Sequence, residues 1–275
     1  MTLSKTEELF KEGQLLLAVK SAAEQVQQNP ADEHVRVLYV ELLCVNGEFE
    51  KADQQLKALM SLSPELGLAM ATWRQLVHAA QIRQDVFELK AKPELIEAAT
   101  PSIAHALDLL LAISENDLSK INQCLESINQ QTDLNQFSIN QQQPEALRDL
   151  DDTMANIFEV LGSNGKYFWV DFSQVVELEI LKPTRILEVL WRKANIVLTN
   201  GTEGEVYIPA NYPLKGDESA SLGRETQWQE NGSAYCGIGL RSWLLGDNEI
   251  SINADTDLMF KNMAHADEIP QATQA

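Results

Sequence analysis

Two stretches of the chain carry residue types and spacings suited to chemistry. In Ala234-Tyr-Cys-Gly-Ile-Gly-Leu-Arg-Ser-Trp243, a cysteine precedes Gly237-x-Gly239 and Arg241. That is the make-up of a nucleophile beside an anion-holding loop. In Asp149-Leu-Asp151-Asp152, the D-x-D spacing suits a divalent cation. Asp149 and Asp151 with Glu159 would then form a metal-assisted hydrolase in which Arg241 holds an anion.

Each stretch also has a plainer reading. If Asn231-Gly232 closes a two-residue hairpin, Trp228 pairs with Tyr235, Thr226 with Gly237 and Arg224 with Gly239. Alternation then places Cys236, Ile238 and Leu240 on one face, where a buried, inert thiol is the default. The opposite face carries Tyr235, Gly237, Gly239 and Arg241, and the glycines make room for a close neighbour, the Trp228 indole being the simplest candidate. No histidine is near in sequence, since the four are His34, His78, His105 and His265. A phosphate loop would need a helix to follow the glycines, and another strand residue stands there instead. The aspartates, in turn, suit the first turn of an amphipathic helix over Leu147–Leu161, ended by Gly162, because carboxylates favour a helix N-terminus. EF-hand spacing and H-x-x-x-H are both absent from the sequence, so neither a calcium loop nor a zinc site is suggested.

The elements that must position these residues divide the chain. Ten of the thirteen glycines and four of the five tryptophans follow residue 160. Before it the pattern is helical and repeats. A shift of 34 residues superposes Leu9 on Leu43, Gly13 on Gly47, Leu15 on Phe49, Ala18 on Ala52 and Pro30 on Pro64. That is the tetratricopeptide period, with glycine for the turn, a small residue at the helix crossing and proline as punctuation. A third unit is degenerate. Trp73 recurs at the place of Tyr39, but Gln81 and Val86 replace the glycine and alanine. Thr100-Pro101 opens a helix through Leu110, and Ser114–Asp117 has capping-box spacing before another through Ile128. Asn129–Gln143 reads as a polar connector.

From Tyr167 the period becomes two. Val176, Leu178 and Ile180 mark a strand, and hairpins follow around Asn200-Gly201, Asn231-Gly232 and Gly246–Asn248. The expected fold is α+β: a tetratricopeptide-like helical domain over 1–128, a polar connector and linking helix over 129–165, a small antiparallel β-sheet or barrel over 166–260, and a flexible tail over 261–275.

Composition narrows the function. The 275 residues are 44% hydrophobic and 23% charged, ordinary for a globular protein. A formal net charge of −20 would repel nucleic acid and anionic membranes. The start lacks the pattern of a signal peptide, and the most apolar run, Ala104–Ile113, is too short to span a bilayer. Cys44, Cys124 and Cys236 are odd in number and have no CxxC, which points to no disulfide framework. The expectation is a cytoplasmic protein without a cofactor, catalytic residue or metal, its oligomeric state open.

A resemblance sharpens this. Pro30-Ala-Asp32…Arg36…Glu41-Leu-Leu43…Gly47…Ala52…Gln55-Leu56 resembles the N-terminal signature of the ImpE (SciE, or TagJ) family. In that family's order follow Asp149-x-Asp151…Glu159, Trp169, Pro183…Trp191…Ala194, Gly201, Pro209…Tyr212-Pro213, Thr226-x-Trp228 and Gly237-x-Gly239-x-Arg241. Thr153 and Asn156 stand where the family usually has an arginine and a proline, and an arginine usual before Tyr212 is missing. The resemblance implies a non-enzymatic accessory protein of bacterial type VI secretion that touches the sheath small subunit, the AAA+ sheath-recycling ATPase, or both. Candidate partner-binding residues are Leu9, Phe10, Arg36, Tyr39 and Trp73 in the helical half. In the β half they are Trp169, Trp191, Tyr212, Trp228 and Arg241. The first helix, with Leu3, Leu9, Phe10 and Leu17, is alternatively a docking peptide itself. A general tetratricopeptide chaperone is the remaining alternative.

Overall fold

A computed structural model describes residues 4–183, 186–254 and 256–268. The helical part opens with α1 (Lys5–Lys11), α2 (Leu15–Gln28), α3 (Glu33–Val45) and α4 (Phe49–Leu62). Here the 34-residue period is literal, since α2 and α4 begin and end 34 residues apart. At the end of α1, Gln14 N–H donates to Leu9 C=O at 2.9 Å; at the end of α3, Glu48 N–H donates to Leu43 C=O at 2.8 Å. These paired C-terminal closures need a left-handed residue, which Gly13 (φ +85°) and Gly47 (φ +72°) supply. Ala18 and Ala52 are fully buried at the helix crossings.

The third unit does not break. Without a glycine at Gln81 nothing closes a turn, and α5 runs unbroken through Gly67–Phe87. Two further helices follow, α6 (Pro101–Glu115) and α7 (Leu118–Thr132). Thr100 caps α6 as expected, but α6 continues past Leu110 and the cap of α7 is Asp117 rather than Ser114, accepting from Lys120 N–H at 3.1 Å.

Every pairing between the strands of the β part is antiparallel. A seven-stranded sheet has the order β1 (Phe137–Ile139), β12 (Leu258–Asn262), β5 (Val175–Ile180), β6 (Trp191–Leu198), β7 (Glu203–Pro209), β3 (Ile157–Gly162), β4 (Tyr167–Asp171). A three-stranded sheet joins β11 (Asn248–Ser251), β10 (Ser242–Leu245) and β2 (Leu147–Asp149), and β8 (Thr226–Asn231) pairs with β9 (Ala234–Gly239). Short helices α8 (Ile186–Leu190) and α9 (Glu218–Ser221) lie in the connections. The α+β reading holds, with tetratricopeptide-like helices followed by antiparallel sheet.

Three local expectations are corrected. The helix expected over Leu147–Leu161 is two strands, β2 and β3, around a short 3-10 turn at Asp152–Met154. Strand β3 is buried on both faces, so its sequence shows no alternation and mimics a buried helix. The polar connector over 129–143 contains the end of α7 and strand β1. Of the expected tail, residues 261–268 complete β12 and a 3-10 helix, and 269–275 lie outside the described residues.

Both faces of β3 serve a core. Ile157 and Leu161 join Tyr167, Trp169 and Trp191 in a cluster built largely from α3–α6. Phe158 and Val160 face the other way, between the two larger sheets, where Phe158 meets Phe172, Trp243 and Phe260 at 4.4–6.3 Å. The helices therefore cap one face of the sheet, supplying the neighbour that an open repeat stack requires. Replacing Ala52 by leucine at the α3–α4 crossing is expected to cost about 1–3 kcal/mol by overpacking, read as a lower urea midpoint at unchanged slope.

Candidate functional site

The residues singled out for chemistry converge, but inside the protein. Arg241 follows β9 and is fully buried. Its guanidinium donates to Asp149 Oδ2 at 2.9 Å through Nη1 and to Glu159 Oε2 through Nη2. Glu159 points from β3 to the helix-facing side, where Arg83 of α5 reaches it twice, Nε to Oε1 at 2.6 Å and Nη2 to Oε2 at 2.9 Å. Arg83 also donates to the Asn211 carbonyl at 2.9 Å. Tyr167 donates its hydroxyl to Glu159 and accepts from the Trp169 indole at 2.6 Å. The Tyr212 ring lies 5.2 Å under the Arg241 guanidinium.

The aspartates have another task. Asp149 Oδ1 accepts the Asp151 N–H at 2.9 Å. Asp151 accepts from Thr153 N–H at 2.8 Å, from the Thr153 hydroxyl at 2.6 Å and from Gly237 N–H at 2.8 Å. Asp152 accepts the Tyr235 N–H at 2.7 Å and pairs with Arg148. The acidic run thus satisfies amide groups along the outer edge of β9. Every oxygen of Asp149 and Asp151 already has a donor, and a guanidinium sits beside them, which opposes a second cation. Among the described residues, no group of three or more His, Cys, Asp or Glu side chains is arranged to hold a metal ion. Thr153 and Asn156, two of the three departures from the family pattern, are both engaged. Asn156 accepts from the Thr132 hydroxyl at 2.9 Å and donates to the Ile128 carbonyl at 3.1 Å.

Burial sets the charges. It would raise Glu159, but Arg83 and Arg241 overcome it and hold this carboxyl down at about 2. Burial pushes Asp149 up to about 7 against the pull of Arg241, and Asp151 up to about 6 against its hydrogen bonds. Two cations therefore share one permanent anion, with the second negative charge carried by Asp149 and Asp151 as they ionise toward neutral pH.

Cys236 is buried as expected, and its sulfur accepts from Asn231 Nδ2 at 3.3 Å. Burial pushes its thiol well above the ordinary range. The hairpin is offset from the expected register, with Asn231 opposite Ala234, Trp228 opposite Gly237 and Thr226 opposite Gly239. Gly232, at φ +67°, and Ser233 make the turn. A two-residue shift leaves every face unchanged. What fills the space over Gly237 is Tyr212 rather than an indole, since a Cβ there would lie 2.2 Å from the tyrosine ring. The Trp228 ring stands next to it, 5.7 Å from that of Tyr212.

The proposed binding residues separate into three kinds. Trp169, Trp191, Tyr212 and Arg241 are buried; so is Arg36, which donates to the Pro30 carbonyl at 2.6 Å and to Gln55. Leu9, Phe10, Tyr39 and Trp73 are half-buried in helical packing. Helix α1 is bound to its own chain, with Arg224 donating to the Phe10 and Lys11 carbonyls at 3.2 and 2.9 Å; Leu17 is exposed and Leu3 lies outside the described residues. Only Trp228 of the proposed set is largely exposed, at 41%, beside Tyr235 at 46%. Sequence reasoning missed Arg83 and Tyr167. The signal for Arg83 was present: Leu76, Ala80, Arg83 and Phe87 lie at helical spacing, so a cation stands on the apolar stripe.

Residues 141–258 match the model of the ImpE protein family, which bears out the resemblance read from the motifs. The chain is 27% identical over 229 residues to a Pseudomonas aeruginosa protein named type VI secretion system accessory component TagJ, covering 82% of this chain and 81% of that one. A crystal structure of protein VPA1032 from Vibrio parahaemolyticus shares the fold with a TM-score of 0.86 and 28% identity, over 99% of this chain and 100% of that one.

Glu159→Gln should lower stability by about 3–5 kcal/mol at neutral pH, because it leaves two buried guanidinium groups without their shared anion. The pH profile carries a sign on each side. The Glu159 contribution is complete above its ordinary pKa of 4.5 and is lost as pH falls toward 2. The raised Asp149 and Asp151 favour the folded state in acid, and that contribution is lost as pH rises from about 4 through 6 and 7. Urea midpoints measured across this range should peak between the two limbs, and the acid limb should flatten in Glu159→Gln. A second variant, Gly237→Ala, should cost about 1–3 kcal/mol by forcing Tyr212 aside.

Proposed function

With residues 141–258 matching an ImpE domain, we propose that this chain is a non-enzymatic adaptor of a bacterial type VI secretion system. It works in the cytoplasm by binding the sheath small subunit, the AAA+ ATPase that recycles sheath, or both. The observation that carries this reading is the fate of the convergent acidic cluster. Asp149, Asp151 and Glu159 are each at most 1% exposed, and their oxygens are engaged by the chain's own guanidinium, hydroxyl and amide groups. A substrate has no route to them, so they serve architecture.

Three further observations support it. The relative over most of the chain is named as an accessory component of type VI secretion. Among the described residues no helix is long and apolar enough to cross a membrane. The charge of −20 favours proteins with basic surfaces over nucleic acid.

Titration calorimetry of the purified chain against sheath small subunit, and against the N-terminal domain of the ATPase, should show micromolar binding to at least one. Absence of heat with both, in the range where either partner is soluble, would overturn the adaptor reading. Turnover of a phosphate or carboxylic ester, dependent on divalent metal and lost in Glu159→Gln, would overturn its non-enzymatic part.

A further inference from the structure

A small cleft of about 190 Å³ lies where the turn between α3 and α4, helix α5, the segment after β7 and helix α9 meet. Among the described residues that line it, the charged ones are Arg83 and Lys215, with no aspartate or glutamate beside them, although the chain as a whole carries −20. Its hydrogen-bond donors are not all spent. Arg83 gives Nε and Nη2 to Glu159 and the Asn211 carbonyl, which leaves the N–H groups of Nη1. Lys215 Cε lies 3.5 Å from the position a Gly47 Cβ would take, which puts the ammonium over the turn that ends α3. Among the described residues this ammonium has no hydrogen bond or ion pair. The carboxylates its charge reaches, Glu48 and Glu88, are each held by a closer cation, Lys51 and Lys90. The Ser221 hydroxyl, at the end of α9, is likewise without a hydrogen bond among the described residues.

We propose that this cleft binds a small molecule through a carboxylate or phosphate group. The oxyanion accepts from Arg83 Nη1, the Lys215 ammonium and the Ser221 hydroxyl, and hydrogen bonds with an ionised partner are roughly twice as strong as neutral ones. Phe49, Leu190 and Pro213 supply apolar wall, which reduces the screening of these charges. Arg83 is the fixed member, because Glu159 and Asn211 already hold its guanidinium, so part of the site is preformed. The volume falls below the about 300–1,000 Å³ of sites for drug-sized ligands, which selects a compact anion. Taking donors from α5, from the segment after β7 and from α9 at once, the anion stabilises the folded chain. No protein partner is needed, so the site goes beyond the adaptor reading and stands or falls apart from it.

The test is the melting temperature of the full chain at pH 7 as chloride is replaced by inorganic phosphate, or by butyrate, at fixed ionic strength. A saturating rise with a midpoint of about 1–10 mM is expected for at least one of the two. Response to phosphate alone assigns a tetrahedral anion, and response to butyrate alone a carboxylate with an apolar tail; either upholds the site. The affinity should fall about fivefold or more in Lys215→Met and in Ser221→Asp, and should be kept in Lys215→Arg, which retains the charge. Melting curves in chloride show that the variants fold, and Lys215, exposed and unbonded, tolerates replacement. No rise beyond chloride in the wild type would overturn the proposal. So would an equal rise in wild type, Lys215→Met and Ser221→Asp, which would place the anion elsewhere on the chain. A sheath subunit or ATPase whose binding is lost in Lys215→Met, with neither small anion bound by the wild type, would assign these donors to a partner's carboxylate and overturn the small-molecule site.

Discussion

One buried carboxylate, Glu159, has to satisfy two guanidinium groups, one from the helical part and one from the β part. Taking any of these charges out of water costs several kcal/mol unless each finds a partner in good geometry. Arg83 comes from the last repeat helix and Arg241 from the link between β9 and β10. Helix, strand and link must therefore reach their places together. Tyr167 and Trp169 extend the network along β4, and the Asn211 carbonyl draws in the segment after β7. The apolar cluster around these groups supplies bulk attraction between helices and sheet. The ion network supplies direction, since the two-point contact of Arg83 with Glu159 ties α5 to β3 at the point where Arg241 arrives from the β9–β10 link.

The same constraint explains why an acidic motif of metal-binding appearance is architectural. Asp149 completes the charge balance at Arg241, while Asp151 and Asp152 terminate the open edge of β9. Amide groups at a strand edge need acceptors, and the adjacent carboxylates of Asp151 and Asp152 reach two that lie two residues apart, Gly237 N–H and Tyr235 N–H. The hairpin β8–β9 is thereby fixed beside the helices, with Trp228 and Tyr235 outward.

Some of this was legible in the residues and some was not, for identifiable reasons. The 34-residue shift located α2 and α4 because glycine, alanine and proline each answer a local steric demand at a fixed offset. The decayed third unit showed equally well, because Gln81 and Val86 lack those properties and α5 runs through. Strand β3 was illegible because burial on both faces erases the alternation by which strands are known. The hairpin faces were legible although its register was not, since turn choice moved the pairing by an even number. Glu159 and Arg241 stood out by type, but their meeting depends on Arg83, 76 residues from Glu159 in sequence, and only the folded chain brings it there.

If Glu159 binds helices and sheet into one body, the two parts must unfold together. Differential scanning calorimetry of the wild type beside Arg83→Met measures this directly. The account predicts a single wild-type transition whose calorimetric and van't Hoff enthalpies agree, and a broadened or divided one in the variant. Two separate transitions in the wild type, or a variant as cooperative as its parent, would contradict it.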